Sequence, residues 1–306
     1  MTGASRIIDI HVHAFGNAEG AKKIAGKIRT KRDAITLRFR DPELHRFLWG
    51  TAEDRTDILI ADMDASNIDA ALIQPTGGAV SEDVAAAVKR HPGRLYPLHS
   101  TSTGKRHLKG AAARSTDLGE LRERAQRFLR DEKFVGTGEV IVRDFTDDTA
   151  PIQIANALTP FFEIIAPYKK PVQVPTAWTN FPTPLEHGIP MYVDHLAERF
   201  PELPIIITKM GRSYDFIFEI ALTVAYKHWN VYLDTAQSKP EHVSRAVREL
   251  GADRVMFGTD WCDIWREMNQ PTGIYPNSLQ LIEDAHLSAS DRDWVRSGAA
   301  AKLYGI

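Results

Sequence analysis

Disulfide chemistry is closed to this chain: Cys262 is the single cysteine among 306 residues. A lone cysteine excludes an internal disulfide framework and fits a reducing compartment, so a cytoplasmic location is expected. Neither sign of charge is in excess: 38 Lys and Arg stand against 40 Asp and Glu, a net charge of −2. That excludes a basic face for nucleic acid and an acidic tail. No apolar run approaches the ~20 residues of a membrane span. The opening MTGASR lacks the apolar stretch of a signal peptide. There is no internal repeat, low-complexity tract or linker. A soluble globular protein is expected, one domain over 1–306, with 43% hydrophobic residues to build its core.

What is present is alternation. Short apolar runs predict strands at Ile7–His11, Ala70–Gln74, Leu95–His99, Phe134–Val142, Val172–Pro175, Ile205–Lys209, Val231–Thr235 and Val255–Thr259. Amphipathic stretches predict helices at Asp54–Asn67, Ser81–His91, Leu118–Arg130, Ile154–Tyr168, Pro190–Phe200, Tyr214–His228, Pro240–Leu250 and Ser288–Leu303. Ser81, and either Ser288 or Ser290, are the expected N-caps. Parallel strands need helical crossovers, and every gap holds one. Eight repeats without a glycine-rich phosphate loop favour an α/β fold of the closed (β/α)8 TIM-barrel type over an open sheet. The irregular segments 14–53, 100–116, 176–188 and 261–287 follow strands one, three, five and eight. They leave the C-terminal mouth, where barrel active sites are built.

His11 and His13 end the first strand. Side chains alternate along a strand, so the two imidazoles share a face. Paired neutral imidazoles suit a divalent metal, zinc above all; a pair of packed histidines is the plain alternative. The last strand ends in Asp260, and a closed barrel sets it beside the first strand. A carboxylate there can ligate a metal or take a proton from water. As an ordinary loop aspartate it would cap a turn.

DIHVH at the start, FGTDW at the last strand and FPELPIIITKMG between them resemble the amidohydrolase superfamily. The segments LIADMDASNIDAALIQP, HPGRLYPL and GTGEV are similar to its amidohydrolase-2 branch, the aminocarboxymuconate-semialdehyde decarboxylase-like group of decarboxylases, hydratases and lactonases. The resemblance implies a metal-dependent-hydrolase-like barrel. One divalent metal, often zinc, is held by the strand-one histidines, a strand-five histidine and the strand-eight aspartate, and a strand-six histidine serves acid–base chemistry. His11, His13 and Asp260 carry over. Pro175 stands where the strand-five histidine is expected, and Lys209 where the strand-six histidine is.

Three readings of that departure stay open. The metal stays, with a fourth ligand from Glu139, a loop residue or water. Or the metal is gone, and Lys209 supplies the positive charge, polarising a carbonyl or acting as a base when desolvated. Or the site is degenerate and the protein binds a metabolite or partner without turnover. Secondary substrate-binding candidates are His99, Arg143, Arg212, Trp178 and Trp261, with Trp265 as a further wall; the guanidinium fork matches a carboxylate. His187 is a surrogate ligand from a proline-rich loop or simply solvated, and Lys105 and Arg106 are expected to be solvated. The leading expectation is hydrolysis of a small cyclic amide, lactone or carboxylated ring, with Asp260 activating water and Lys209 stabilising the oxyanion. The alternative is non-oxidative decarboxylation of an aromatic or unsaturated acid. A homodimer is the base-rate expectation for assembly.

Overall fold

The computed structural model describes residues 6–25, 53–75, 78–101, 117–177 and 184–306. Eight strands form one sheet in sequence order: β1 Ile8–Val12, β2 Ala70–Ile73, β3 Leu95–His99, β4 Gly136–Thr137, β5 Val172–Pro175, β6 Ile205–Thr208, β7 Val231–Asp234 and β8 Val255–Met256. Every pairing between neighbours is parallel. Just beyond β8 the chain returns to β1. Ile10 N donates to Phe257 O at 3.0 Å, Asp260 N to His11 O at 2.9 Å and His13 N to Trp261 O at 2.8 Å. These bonds close the sheet into a barrel and bring the two ends of the chain together.

Apolar side chains sort into two layers. Ile8, Ile10, Ala70, Leu72, Leu98, Ile206 and Met256 meet in one cluster with Ala299, Ala300 and Tyr304. Strands that far apart in order meet only inside a closed barrel. Val12, Ile73, Val174, Ile207, Leu233 and Phe257 belong to the larger cluster outside the strands, packed under the helices Thr56–Ala65, Ser81–Arg90, Leu118–Ala125, Pro151–Ile165, Met191–Arg199, Asp215–Lys227 and Pro240–Leu250. Burying one such side chain is worth about 1.5–3 kcal/mol, which explains why strands apolar on both faces are fixed in place.

Several expected boundaries move. β4 is two residues long rather than the run Phe134–Val142; Val142–Asp144 is a 3-10 turn instead. At Gly136 a Cβ would lie 2.6 Å from Pro171 O, so only glycine lets β4 and the chain entering β5 approach. The segment 261–287 holds helices Asp263–Met268 and Ile274–Asp284. Pro276 reads as a helix breaker, yet it falls in the first turn, where the missing N–H has no intrahelical partner to lose. Ser81 is the first helical residue with Val80 as the cap, whereas Ser288 Oγ does accept from Asp291 N at 3.1 Å. Within 14–53, Ala18–Ala25 is helical and Phe15–Gly16 pairs antiparallel with Glu53–Asp54. Among the described residues, no helix is long and apolar enough to cross a membrane.

Candidate functional site

The first strand owes its chemistry to a bulge. Ile8 pairs with Ala70 and Asp9 with Ala71, but Val12 pairs with Ile73. Three steps on β1 match two on β2, which is one extra residue. Without it, inward Ile8 and Ile10 would force both histidines outward. With it, Val12 joins the outer layer, and His11 and His13 turn into the mouth with ring centroids 5.2 Å apart. Asp9 stitches the bulge. Its Oδ1 accepts from His11 N at 3.0 Å and Thr259 N at 3.1 Å, and its Oδ2 from Thr259 Oγ1 at 2.6 Å. Burial pushes the Asp9 carboxyl up to about 7 despite those bonds. Asp9 thus orients the backbone of the bulge and the Thr259 hydroxyl. The ring anchor is Asp234, at the end of β7, whose Oδ2 lies 2.6 Å from His11 Nδ1. Its Oδ1 accepts from Lys209 N at 2.5 Å and Ala236 N at 3.0 Å.

Three further strand ends bring Glu139, Lys209 and Asp260 to the histidine pair. Glu139, after β4, donates its backbone N–H to Gln74 Oε1 at 2.6 Å. Glu139 Oε1 accepts from Thr208 Oγ1 at 2.7 Å and from Lys209 Nζ at 2.6 Å. Lys209 Nζ is also 3.2 Å from His11 Nε2 and 3.6 Å from Asp260 Oδ1. Asp260 Oδ2 accepts from Gln237 Nε2 at 2.6 Å. Lys209 and Asp260 both hold positive φ, 66° and 60°. For non-glycine residues that conformation costs of order 1–3 kcal/mol and persists only where the surroundings enforce it. All five side chains are at least nine-tenths buried.

Charge decides the protonation of this cluster. Burial works to raise the Glu139 and Asp260 carboxyls, but the neighbouring Lys209 ammonium and imidazoles win and hold both well below the usual carboxylate range. For His11, burial and Lys209 favour the neutral ring. Asp234 and Glu139 outweigh them and hold the imidazole up to about 10.

His11, His13 and Glu139 each offer one donor atom, all within 4.8 Å of one another, a group able to hold a metal ion. His11 Nε2 is 3.4 Å from both Glu139 Oε1 and Asp260 Oδ1; His13 Nε2 is 3.3 Å from Glu139 Oε2 and 3.2 Å from Asp260 Oδ1. Neighbouring donors on a tetrahedral ion with bonds near 2.0–2.1 Å stand roughly 3.3–3.4 Å apart. The spacing and the donor chemistry therefore fit a small divalent ion. Pro175 lies within β5, paired with Thr208, and adds no side-chain donor.

Two substrate-side expectations are corrected. His99 faces the helices rather than the mouth: its Nδ1 is 3.0 Å from Ser81 Oγ and its ring stacks on Phe128 at 5.4 Å. The alternation that puts Leu98 inside the barrel puts His99 outside. Trp261 is fully buried in the outer layer, its Nε1 donating to Asp62 Oδ2 at 3.0 Å. Trp265 is half-buried, with the Arg212 guanidinium carbon 5.9 Å from its ring centroid. Arg143 sits in the turn after Glu139, 4.0 Å from Asp144. His187 is buried and its Nε2 is 2.8 Å from Asp148 O, so it fastens loops instead of being solvated. Trp178, Lys105 and Arg106 lie outside the described residues. Sequence reasoning gave no role to Gln74, Thr208 or Gln237. Their one signal is position, each at or just past a strand end.

A family model described as amidohydrolase matches residues 8–306. No curated protein matches the chain. Among solved structures, a 2,6-dihydroxybenzoate decarboxylase complexed with 2,6-dihydroxybenzoate is 16% identical with a TM-score of 0.63, covering 99% of this chain and 100% of that one. A 5-carboxyvanillate decarboxylase from Novosphingobium aromaticivorans, complexed with manganese and a nitrobenzoic acid, is 14% identical with a TM-score of 0.63, covering 100% and 97%. A probable 2-pyrone-4,6-dicarboxylic acid hydrolase from Acinetobacter baumannii, with citric acid bound, is 14% identical with a TM-score of 0.60, covering 98% and 100%. At these identities the likeness is one of fold.

Proposed function

The chain belongs to the amidohydrolase family, and on that premise we propose that it is a hydrolase adding water to the carbonyl of a small cyclic amide, lactone or carboxylated ring. The observation that carries this reading is Asp260. It is a buried carboxylate held ionised at the barrel mouth, 3.2 Å from His13 Nε2 and 3.6 Å from Lys209 Nζ. Asp260 takes the proton of the attacking water, and Gln237 fixes the carboxylate's other oxygen. Lys209, steadied by Glu139, faces the oxygen on which negative charge develops. Arg212 and Trp265, with Arg143, bind the carboxylate and flat body of the substrate.

His11, His13 and Glu139, with Asp260 beside them, are the residues that would hold a divalent ion. Zinc suits two imidazoles and carboxylates, and one protein of the same fold contains manganese. Bound there, the ion would supply positive charge to polarise the carbonyl and acidify water.

A second reading has one observation in its favour. Lys209 Nζ and the His11 and His13 rings converge on one pocket, an array that would also hold a carboxylate through loss of carbon dioxide. A pH-stat assay separates lactone hydrolysis, which releases acid, from decarboxylation, which consumes a proton and evolves gas; amide opening gives a carboxylate and an ammonium with little net proton change and is followed by the amine released. Asp260→Asn should lower kcat by at least 10²-fold in either case. Retained turnover in that variant would overturn both assignments to Asp260, whereas no turnover of either substrate class by the wild-type chain would leave a barrel that binds without catalysis.

A further inference from the structure

Lys209 already places a cation among the residues that would take a metal. Its Nζ is 2.6 Å from Glu139 Oε1, 3.2 Å from His11 Nε2 and 3.6 Å from Asp260 Oδ1, so three of the four donor residues face one ammonium. Glu139 and Asp260 bring two negative charges to the pocket. Asp234 adds its own negative charge behind them, its oxygens engaged by the His11 ring and two backbone amides. Imidazoles ligate as neutral rings. A divalent ion on the two carboxylates would need the same Glu139 oxygen and the same His11 nitrogen that Nζ faces. With Lys209 also in place, two cations would stand against one Glu139 oxygen and repel each other at short range.

We propose that the Lys209 ammonium competes with a divalent cation for this donor set and acts as an internal cation that lowers the site's metal affinity. The proposal rests on the donor set described above and deepens the functional reading, since it names which cation serves the carbonyl. The lysine end of the competition leaves Glu139 paired with Nζ, and His11 Nε2 3.2 Å from it. The metal end requires Nζ to leave Glu139 Oε1 and His11 Nε2. Pro175 biases the contest toward lysine, because β5 provides no further neutral ligand.

Metal titration tests this without an activity readout. Protein stripped with a chelator is titrated with Mn²⁺, then separately with Zn²⁺, by calorimetry, and bound metal is counted by mass spectrometry after equilibrium dialysis. Lys209→Met should bind both ions at least tenfold more tightly than the wild-type chain. Lys209→Gln, which removes the charge but keeps a polar group toward Glu139, should gain in the same direction and serves if the methionine variant does not fold. Thr208→Val frees the same Glu139 oxygen from its hydroxyl partner while leaving the ammonium, and should stay within about threefold of wild type. The proposal is overturned if neither neutral variant gains affinity, or if Thr208→Val gains as much as they do. If no form binds metal, this inference falls together with the metal part of the preceding reading. Hydrolysis with Asp260 and Lys209 alone would still stand, to be judged by the pH-stat.

Discussion

His11 presents Nε2 to the cluster because Asp234 holds its other nitrogen at 2.6 Å. A carboxylate in that position fixes the orientation of the ring and raises its basicity. Asp234→Asn keeps the shape and removes the charge. Turnover should then fall ten- to a hundredfold, while Asp260→Asn falls further. The check is kcat and KM on the same substrate: a positioning residue acting through His11 lowers kcat with little change in KM. An equal rise in KM would instead make Asp234 a substrate contact. The side chains that meet at the mouth were legible in the sequence, since His11, His13, Asp260, Glu139 and Lys209 all stand at strand ends. Asp234, Gln74, Thr208 and Gln237 were not, because a second layer of hydrogen bonds depends on which of several polar strand-end residues turns inward. His99 and Trp261 misled for the same reason: composition said functional, and the pleat aimed them at the helices.

Elements obeyed periodicity where both faces are apolar and departed where backbone geometry is special. β2, β3, β5, β6 and β7 fall within a residue of their expected ends, because a run such as IIIT buried on both sides admits few alternatives. The β1 bulge was not legible. It is held by Asp9 capturing the His11 amide and, from beyond β8, the Thr259 amide and hydroxyl. The contraction of β4 was hidden too, since Gly136 reads as a weak strand residue and acts as a close-approach point. Gly136→Ala tests that account. Its new Cβ would meet Pro171 O at 2.6 Å and the Leu98 and Tyr304 side chains at 3.1 Å. Overpacking against backbone, with no flexible tip to yield, should cost about 1–3 kcal/mol. Urea unfolding would show this as a lower midpoint with an unchanged slope; an unmoved midpoint would mean that β4 and the β5 entry part easily.

At the scale of the whole molecule, closure of the barrel was the part of the fold most legible in advance. It explains how residues 11 and 260 come to share a pocket through Asp260 N and His11 O. The same closure buries titratable groups in opposite senses, and stability against acid follows from them. His99, pressed between β3 and Phe128, is held down to about 3, chiefly by burial and secondarily by Arg124. Between pH 6.5 and 3 the unfolded chain binds a proton that the folded chain refuses, so this histidine's contribution is intact above about 6.5 and is lost as pH falls. Asp9, raised to about 7 by burial, acts with the opposite sign. Folded, it keeps its proton where the unfolded carboxyl has lost it, so its contribution is present below about 4 and is lost as pH rises toward 7. The two offset each other across mildly acid pH, and the wild-type profile should be shallow there. Replacing His99 by Gln removes one side of the balance. Relative to wild type, the variant should gain on going from pH 6.5 to 4.5, by roughly 2–3 kcal/mol at about 1.4 kcal/mol per pH unit for a single group. Urea unfolding of both proteins at the two pH values measures that difference directly. A gap that does not change with pH would mean that His99 is protonated in the folded barrel and that the seam between β3 and the helices admits water.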